Sequence, residues 1–380
     1  MNWDMSALSK APRTYAAPGQ GTADAQALFF EGLPWRGRPT RVFAYWGMPA
    51  VKAGEKVPGM VLVHGGGGSA FIPWVRLWVS RGYAAIAMDT CGCVSGGGYE
   101  NHPRHEHGGP PGWGAFEQTD EPVSDQWPFH AVGAVILAHS LLRSFPRVDP
   151  ARIGLTGVSW GGYLTCIVSG VDHRFSFAAP VYGCGFLGDN SVWLGDFAKM
   201  GAVRAGRWLE LWDPSVYLPG VRLPLLWGSG TNDFAYPMDS WQKSYRAAPS
   251  PRTLCLRVRM VHGHGGPGEN PPEIHAMADA LFRGGAPLAR IAAAGRDGRY
   301  AWATYESQAA ITQAELNYTT DTGAWPARNW QTIPADLDTR SCKASAAVPD
   351  GATCHYLNLL DERGCVVSTE HEDPACVQRG

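Results

Sequence analysis

The chain has 380 residues, 45% of them apolar and 17% charged, with 47 Gly and 29 Pro. This composition excludes a disordered or fibrous chain and describes a loop-rich globular protein, long enough to divide into one large and one smaller domain. Thirty-two basic against 34 acidic side chains leave a formal charge of −2 without a basic run, which argues against nucleic acid as a partner.

No stretch approaches the ~20 consecutive apolar residues of a membrane helix, so no membrane partner is expected. The start, Met1-Asn2-Trp3-Asp4, lacks the charged and apolar regions of a secretion signal. A cytoplasmic protein and a secreted one with its signal removed both fit that start. The nine cysteines contain no Cys-x-x-Cys pair, so no zinc ribbon is expected. Cys342, Cys354, Cys365 and Cys376 crowd near the C-terminus, as one or two disulfides or as buried thiols.

Beyond an N-terminal extension, residues 1–24, the segments 27–30 and 40–46 read as an antiparallel pair across a Gly-Arg-Pro turn. Residues 60–63 form an apolar run too short for a helix, and 71–81 have helical spacing. The alternation continues with a strand at 83–88, a helix at 127–145, a strand at 152–156 and a helix at 160–169. Strands at 175–181, 223–227 and 253–261 follow, with helices at 239–247 and 272–282. Strand and helix in turn imply parallel strands joined by right-handed crossovers, so residues 25–285 are expected to form a doubly wound, mostly parallel sheet of about eight strands. Two long connections, 90–126 and 183–217, are expected to wall a site. In residues 286–380 the helical period vanishes, and short strands at 300–305, 313–318, 329–333, 354–359 and 366–369 suggest a small β-sandwich.

Gly157-Val158-Ser159-Trp160-Gly161 is a Gly-x-Ser-x-Gly sequence between a predicted strand and a predicted helix. There the turn is so sharp that only glycine fits two residues either side of the serine. Ser159 is therefore the expected nucleophile. His64-Gly65-Gly66-Gly67-Gly68 follows an earlier strand, where backbone N–H groups of Gly66 or Gly67 would join that of Trp160 as an oxyanion hole. The run lacks the Gly-Lys-Ser/Thr of a phosphate loop. The acid should come next in the chain and the histidine last. Asp233, in Gly-Thr-Asn-Asp, is the expected acid, with Asp239 as fallback. Of the two histidines in Val261-His262-Gly263-His264, His264 is preferred as base because it is flanked by glycines and sits further out, with His262 as the alternative.

These motifs, together with Pro-Val-Tyr-Gly-Cys-Gly at 180–185, resemble the α/β-hydrolases of the dienelactone hydrolase and acetyl xylan esterase type, related to prolyl oligopeptidase catalytic domains, over residues 25–285. The resemblance implies acyl transfer through an acyl-enzyme on Ser159, without a cofactor, acting on short acyl esters such as acetylated carbohydrate. A peptidase is the alternative, made less attractive by the absence of room for a propeller. A non-catalytic carbohydrate-binding or scaffold protein is the other.

Substrate contacts are expected from His64, Asp89, Tyr182 and Trp193, although for Asp89, at a strand end, a turn cap is the preferred reading. Trp113, Trp160, Trp208 and Trp212 are expected near the same pocket. His102, His105 and His107 have a spacing that could bind metal, but no helix fixes them, so a solvated cluster is the preferred reading and no metal is expected.

Overall fold

The structure, a computed structural model, describes residues 3–373. Nine strands, β1 (Thr14–Ala16), β2 (Gln26–Glu31), β3 (Arg41–Gly47), β4 (Val57–Val63), β5 (Ala84–Met88), β6 (Val148–Val158), β7 (Phe177–Val181), β8 (Leu225–Gly230) and β9 (Arg252–Arg257), form one sheet in the order β1-β2-β3-β5-β4-β6-β7-β8-β9. The pairings of β1, β2 and β3 are antiparallel; those from β5 across to β9 are parallel. The helices are α1 (Met5–Leu8), α2 (Ile72–Ser80), α3 (Trp127–Ser144), α4 (Trp160–Val171), α5 (Leu194–Met200), α6 (Ala202–Trp212), α7 (Met238–Ala247) and α8 (Pro272–Arg283).

The strand sequences explain the layering. β4 is buried at every position, as a strand covered on both faces must be. Val61 and Val63 of β4 join Trp127 of α3, Leu164 of α4 and Trp241 of α7 in one core. Met60 and Leu62, on the opposite face, meet Trp74 and Trp78 of α2 and Ile274 and Phe282 of α8 in another. This alternation is the period of two that puts successive side chains on opposite faces.

The C-terminal part consists of β10 (Arg290–Asp297), β11 (Tyr300–Glu306), β12 (Ile311–Thr319), β13 (Gln331–Pro334), β14 (Asp336–Asp338), β15 (Lys343–Ala347), β16 (Cys354–Asp361) and β17 (Val366–Ser368). They form two antiparallel four-stranded sheets, β10-β11-β15-β14 and β13-β12-β16-β17. This sandwich lies against the edge of the large sheet. The Leu256 N–H of β9 donates to Ser368 Oγ at 2.8 Å, and its carbonyl accepts from Asn358 Nδ2 at 3.2 Å, so backbone groups of an edge strand are satisfied by side chains.

Several expectations need correction. The segment 183–217 is not a loop but carries α5 and α6. β1 adds a ninth strand, and β9 stops at Arg257 instead of running on to Val261. Its last pairing is Gly230 with Arg257, so the strand ends where its only parallel neighbour in this sheet ends, and Arg259 then turns the chain at φ 51°. Cys342 and Cys365 are unbridged thiols, and Cys376 lies outside the described residues.

Candidate active site

β6 ends at Val158, α4 begins at Trp160, and Ser159 between them has φ 59° and ψ −120°, a conformation that costs a non-glycine residue energy and persists only where its surroundings over-determine it. The surroundings are tight. A Cβ on Gly161 would stand 2.0 Å from the Val63 carbonyl oxygen, and one on Gly157 would stand 2.2 Å from that of Gly161. The Ser159 N–H donates to Val181 O at 2.8 Å, while its hydroxyl has no hydrogen-bond partner among the described residues. Ser159 opens into a cavity of about 710 Å³ lined also by Gly66, Gly67, Tyr99, Trp113, Trp160, Trp193, Phe234, His262 and His264. Both long connections contribute to its wall, 90–126 through Tyr99 and Trp113, 183–217 through Trp193.

Asp233 follows β8 and is buried. Its Oδ1 accepts the N–H groups of Ala235 at 2.9 Å and Tyr236 at 2.8 Å, and its Oδ2 accepts His262 Nδ1 at 2.7 Å. The carboxylate is thus held by its own turn and in turn fixes the His262 proton on Nδ1. The other nitrogen, Nε2, has no hydrogen-bond partner among the described residues. The ring stacks on Tyr182, with centroids 4.7 Å apart and planes 24° apart, and Tyr182 anchors itself by donating its hydroxyl to Val261 O at 2.6 Å.

The preferred pairing of Asp233 with His264 is therefore corrected to His262. Because β9 ends at Arg257, His262 is already well out on the loop, whereas a strand running to Val261 would leave it one residue beyond the strand end. His264 is occupied elsewhere. Its Nδ1 meets Glu269 Oε1 at 2.9 Å and its Nε2 accepts the Gly65 N–H at 2.8 Å. The fallback acid, Asp239, accepts Asn190 Nδ2 at 3.0 Å on both oxygens and touches neither imidazole.

The remaining expectations divide. Gly66 and Gly67 border the cavity, and Trp160 begins α4, whose helical N–H groups have no carbonyl four residues behind them. Trp193 lines the cavity and packs on Trp160 at 4.5 Å. His64, Asp89 and Tyr182 are buried beneath the cavity lining and face other protein groups. His64 Nδ1 donates to Gly65 O at 2.7 Å and its Nε2 accepts the Thr90 N–H at 3.0 Å. Burial pushes this imidazole down to about 4, against the opposing pull of Asp89. Asp89 Oδ1 accepts the N–H groups of Cys91 at 2.8 Å and Cys93 at 2.7 Å, a turn cap.

Trp208 and Trp212 lie in the core, donating to Gly114 O at 3.0 Å and Gln126 Oε1 at 2.6 Å. His102 borders the cavity and accepts the Gly96 N–H at 3.3 Å, His105 packs on Phe29 at 4.8 Å, and His107 meets Glu106 at 3.0 Å. No three such side chains converge as metal ligands among the described residues. Glu269, Phe71, Tyr99 and Phe234 at the site were not singled out from sequence.

The fold, with its strained serine between strand and helix, is that of the α/β-hydrolases. Residues 19–194 match the model of the acetyl xylan esterase family. Among solved structures, the chain is similar to an acetyl xylan esterase from Paenibacillus sp. R4, at 20% identity with a TM-score of 0.59, covering 73% of this chain and 92% of that one. It is also similar to acetyl xylan esterase 1 from Thermoanaerobacterium sp. JW/SL YS485, at 17% identity with a TM-score of 0.53, covering 68% and 87%. Among curated proteins it resembles an uncharacterized peptidase, YuxL, of Bacillus subtilis (strain 168), at 24% identity over 216 residues, which span 52% of this chain and 29% of that protein.

Proposed function

We propose that the chain is a serine carboxylesterase that removes short acyl groups, acetyl foremost, from a carbohydrate or other small alcohol. The observation that carries this reading is the cavity itself. It holds a hydroxyl without a partner on a strained elbow together with an imidazole whose Nδ1 is locked to a buried carboxylate and whose Nε2 is unengaged. The acetyl xylan esterase family match over residues 19–194 supports an ester as substrate. The flat aromatic faces of Tyr99, Trp113, Trp193 and Phe234 suit a sugar ring.

In the reaction, His262 Nε2 takes the Ser159 proton as Oγ attacks the acyl carbon. The resulting oxyanion accepts the N–H of Trp160 and that of Gly66 or Gly67, at the positive end of α4. Asp233 stabilises the imidazolium, which then protonates the departing alcohol oxygen as the C–O bond breaks. Water, deprotonated by the same Nε2, attacks the acyl-enzyme and releases the acid and Ser159. Of the two imidazoles on the loop after β9, His262 and His264, only His262 can accept a proton without giving up an existing bond among the described residues.

The test is hydrolysis of 4-nitrophenyl acetate by Ser159→Ala and His262→Ala. Each is expected to lose at least about a thousandfold in kcat with an unchanged circular dichroism spectrum. Full activity in Ser159→Ala overturns the reading. Comparing acetylated xylo-oligosaccharides with butyryl esters and peptide anilides then tests the substrate class.

A further inference from the structure

We infer that His264, held by Glu269, is a positioning residue that sets the oxyanion loop against Ser159. The inference rests on the esterase reading above and adds a second histidine–carboxylate pair with a task other than proton transfer.

The Gly65 residue is gripped from two sides. Its N–H donates to His264 Nε2 at 2.8 Å. Its carbonyl accepts His64 Nδ1 at 2.7 Å and the Gly68 N–H at 3.3 Å. In a planar trans peptide the carbonyl and the following N–H point in opposite directions. Holding the Gly65 oxygen and nitrogen therefore orients the peptide that carries the Gly66 N–H, one of the two candidate loop donors to the oxyanion, and Gly66 borders the cavity. There is no slack in this arrangement. A Cβ on Gly65 would lie 2.9 Å from the Ser159 Cβ and 3.2 Å from His264 Nε2, so loop, nucleophile and imidazole are in van der Waals contact.

His264 is itself anchored. Nδ1 is bonded to Glu269 Oε1 at 2.9 Å, and the Phe71 ring covers it at 4.6 Å. The Glu269 backbone carbonyl accepts Trp74 Nε1 at 3.0 Å, which ties the carboxylate's segment to α2. For His264 to accept from Gly65 while facing a carboxylate, the ring must be neutral with its proton on Nδ1. A glutamine can offer the same pair of bonds, its carbonyl accepting from Gly65 and its amide donating to Glu269, but it cannot take up a proton. That difference separates positioning from base catalysis.

The experiment compares His264→Gln and His264→Ala with wild type, using Ser159→Ala and His262→Ala as references. It measures kcat and KM for 4-nitrophenyl acetate, the inhibition constant of phenylboronic acid, which forms a tetrahedral adduct on the serine, and the melting temperature. Loss of part of an oxyanion site predicts a fall of about 10- to 100-fold in kcat for His264→Ala, with KM changed less than about threefold and boronate affinity falling in parallel. His264→Gln is expected to stay within about threefold of wild type in all three quantities. A glutamine variant as inactive as His262→Ala assigns proton transfer to His264 and overturns the proposal. So does an alanine variant with wild-type kcat, or one that loses kcat while binding boronate normally. If the alanine variant does not fold, Glu269→Ala, which leaves Gly65 its acceptor but frees the ring, must show the same parallel loss. Activity surviving in Ser159→Ala points instead to failure of the esterase reading.

Discussion

Replacing Asp233 by asparagine changes one atom of the side chain and, by the geometry, inverts the tautomer of His262. Asp233 Oδ1 accepts two backbone N–H groups, from Ala235 and Tyr236, and Oδ2 accepts His262 Nδ1. An asparagine has one oxygen to offer. Turning its NH2 toward the two backbone donors would forfeit both bonds and set donor against donor in a buried site, a cost of at least about 3 kcal/mol. The amide oxygen therefore stays on the turn and the NH2 faces Nδ1. The imidazole must then accept at Nδ1 and carry its proton on Nε2, the nitrogen that needs to be bare to take the Ser159 proton. The expected loss in kcat is about 10⁴-fold, or about 5.5 kcal/mol of barrier. The turn bonds survive, so the melting temperature should fall by only a few degrees. The assay is steady-state hydrolysis of 4-nitrophenyl acetate with a parallel thermal melt, and Asp239→Asn, whose carboxylate binds Asn190, serves as the control that stays near wild type. An Asp233→Asn enzyme within tenfold of wild type would refute the reasoning.

Acid should unfold the protein through its buried histidines. Burial holds His64, His130 and His139 down at about 4, and His275 and His371 at about 3, so the folded state stays neutral where the unfolded chain, near 6.5, takes up protons. Stability from these groups is complete above about pH 6.5 and falls through the window below it, each histidine contributing about 1.4 kcal/mol per pH unit; a urea midpoint that stays flat between pH 7 and pH 5 would contradict this. Gly161→Ala puts a methyl 2.0 Å from the Val63 carbonyl oxygen and 2.7 Å from that of His64, both backbone, and should yield little or no folded protein; recovery of a wild-type melt would show that the elbow can open. Asn232→Ala removes the donor shared by the carbonyls of Trp325, Pro326 and Arg328, at 3.5, 3.1 and 2.7 Å, and should cost about 1–2 kcal/mol in urea unfolding. It should also lower kcat severalfold, and a change in neither would disprove the coupling.

What the sequence made legible follows the range of the interactions involved. The elbow was readable because its glycines, serine, strand and helix are all local, and so was the parallel alternation that leads to it. The identity of the base was not, because it depends on where β9 ends. That is set by the end of β8 across the sheet, and the apolar run at 253–261 continues past it. Glu269 gave no signal. It sits in a Gly-Pro-Gly-Glu-Asn turn with no spacing characteristic of a histidine partner, and only the folded loop brings it to His264. The helices α5 and α6 did leave a trace, since Trp208 and Trp212 are four residues apart on one face. Reading those tryptophans as pocket lining hid the helical period that buries them. In the C-terminal part, β10, with its Ala-Ala-Ala-Gly run, has none of the β-branched alternation that marked its neighbours.

The C-terminal sheets bear on the site through the two loops that carry Asp233 and His262, the proposed acid and base. Asn232, adjacent to Asp233, is fastened to three carbonyls of the segment 325–328. The loop bearing His262 leaves β9, whose Leu256 is held at both N–H and carbonyl by Ser368 and Asn358. The Thr231 hydroxyl completes the link between the two loops by accepting the Arg259 N–H at 3.0 Å. Asp233 and His262 must stay within hydrogen-bond distance for the imidazole to keep its tautomer, yet they belong to different loops at the edge of the large sheet, where a parallel sheet without a cover is least constrained. The sandwich supplies that cover. Its attachment beside the acid and under the base strand gives it a direct mechanical bearing on the 2.7 Å contact between them. Substitutions at Ser368 or Asn358 should accordingly weaken kcat and stability together, whereas those on the outer strands β10 and β14 should affect stability alone.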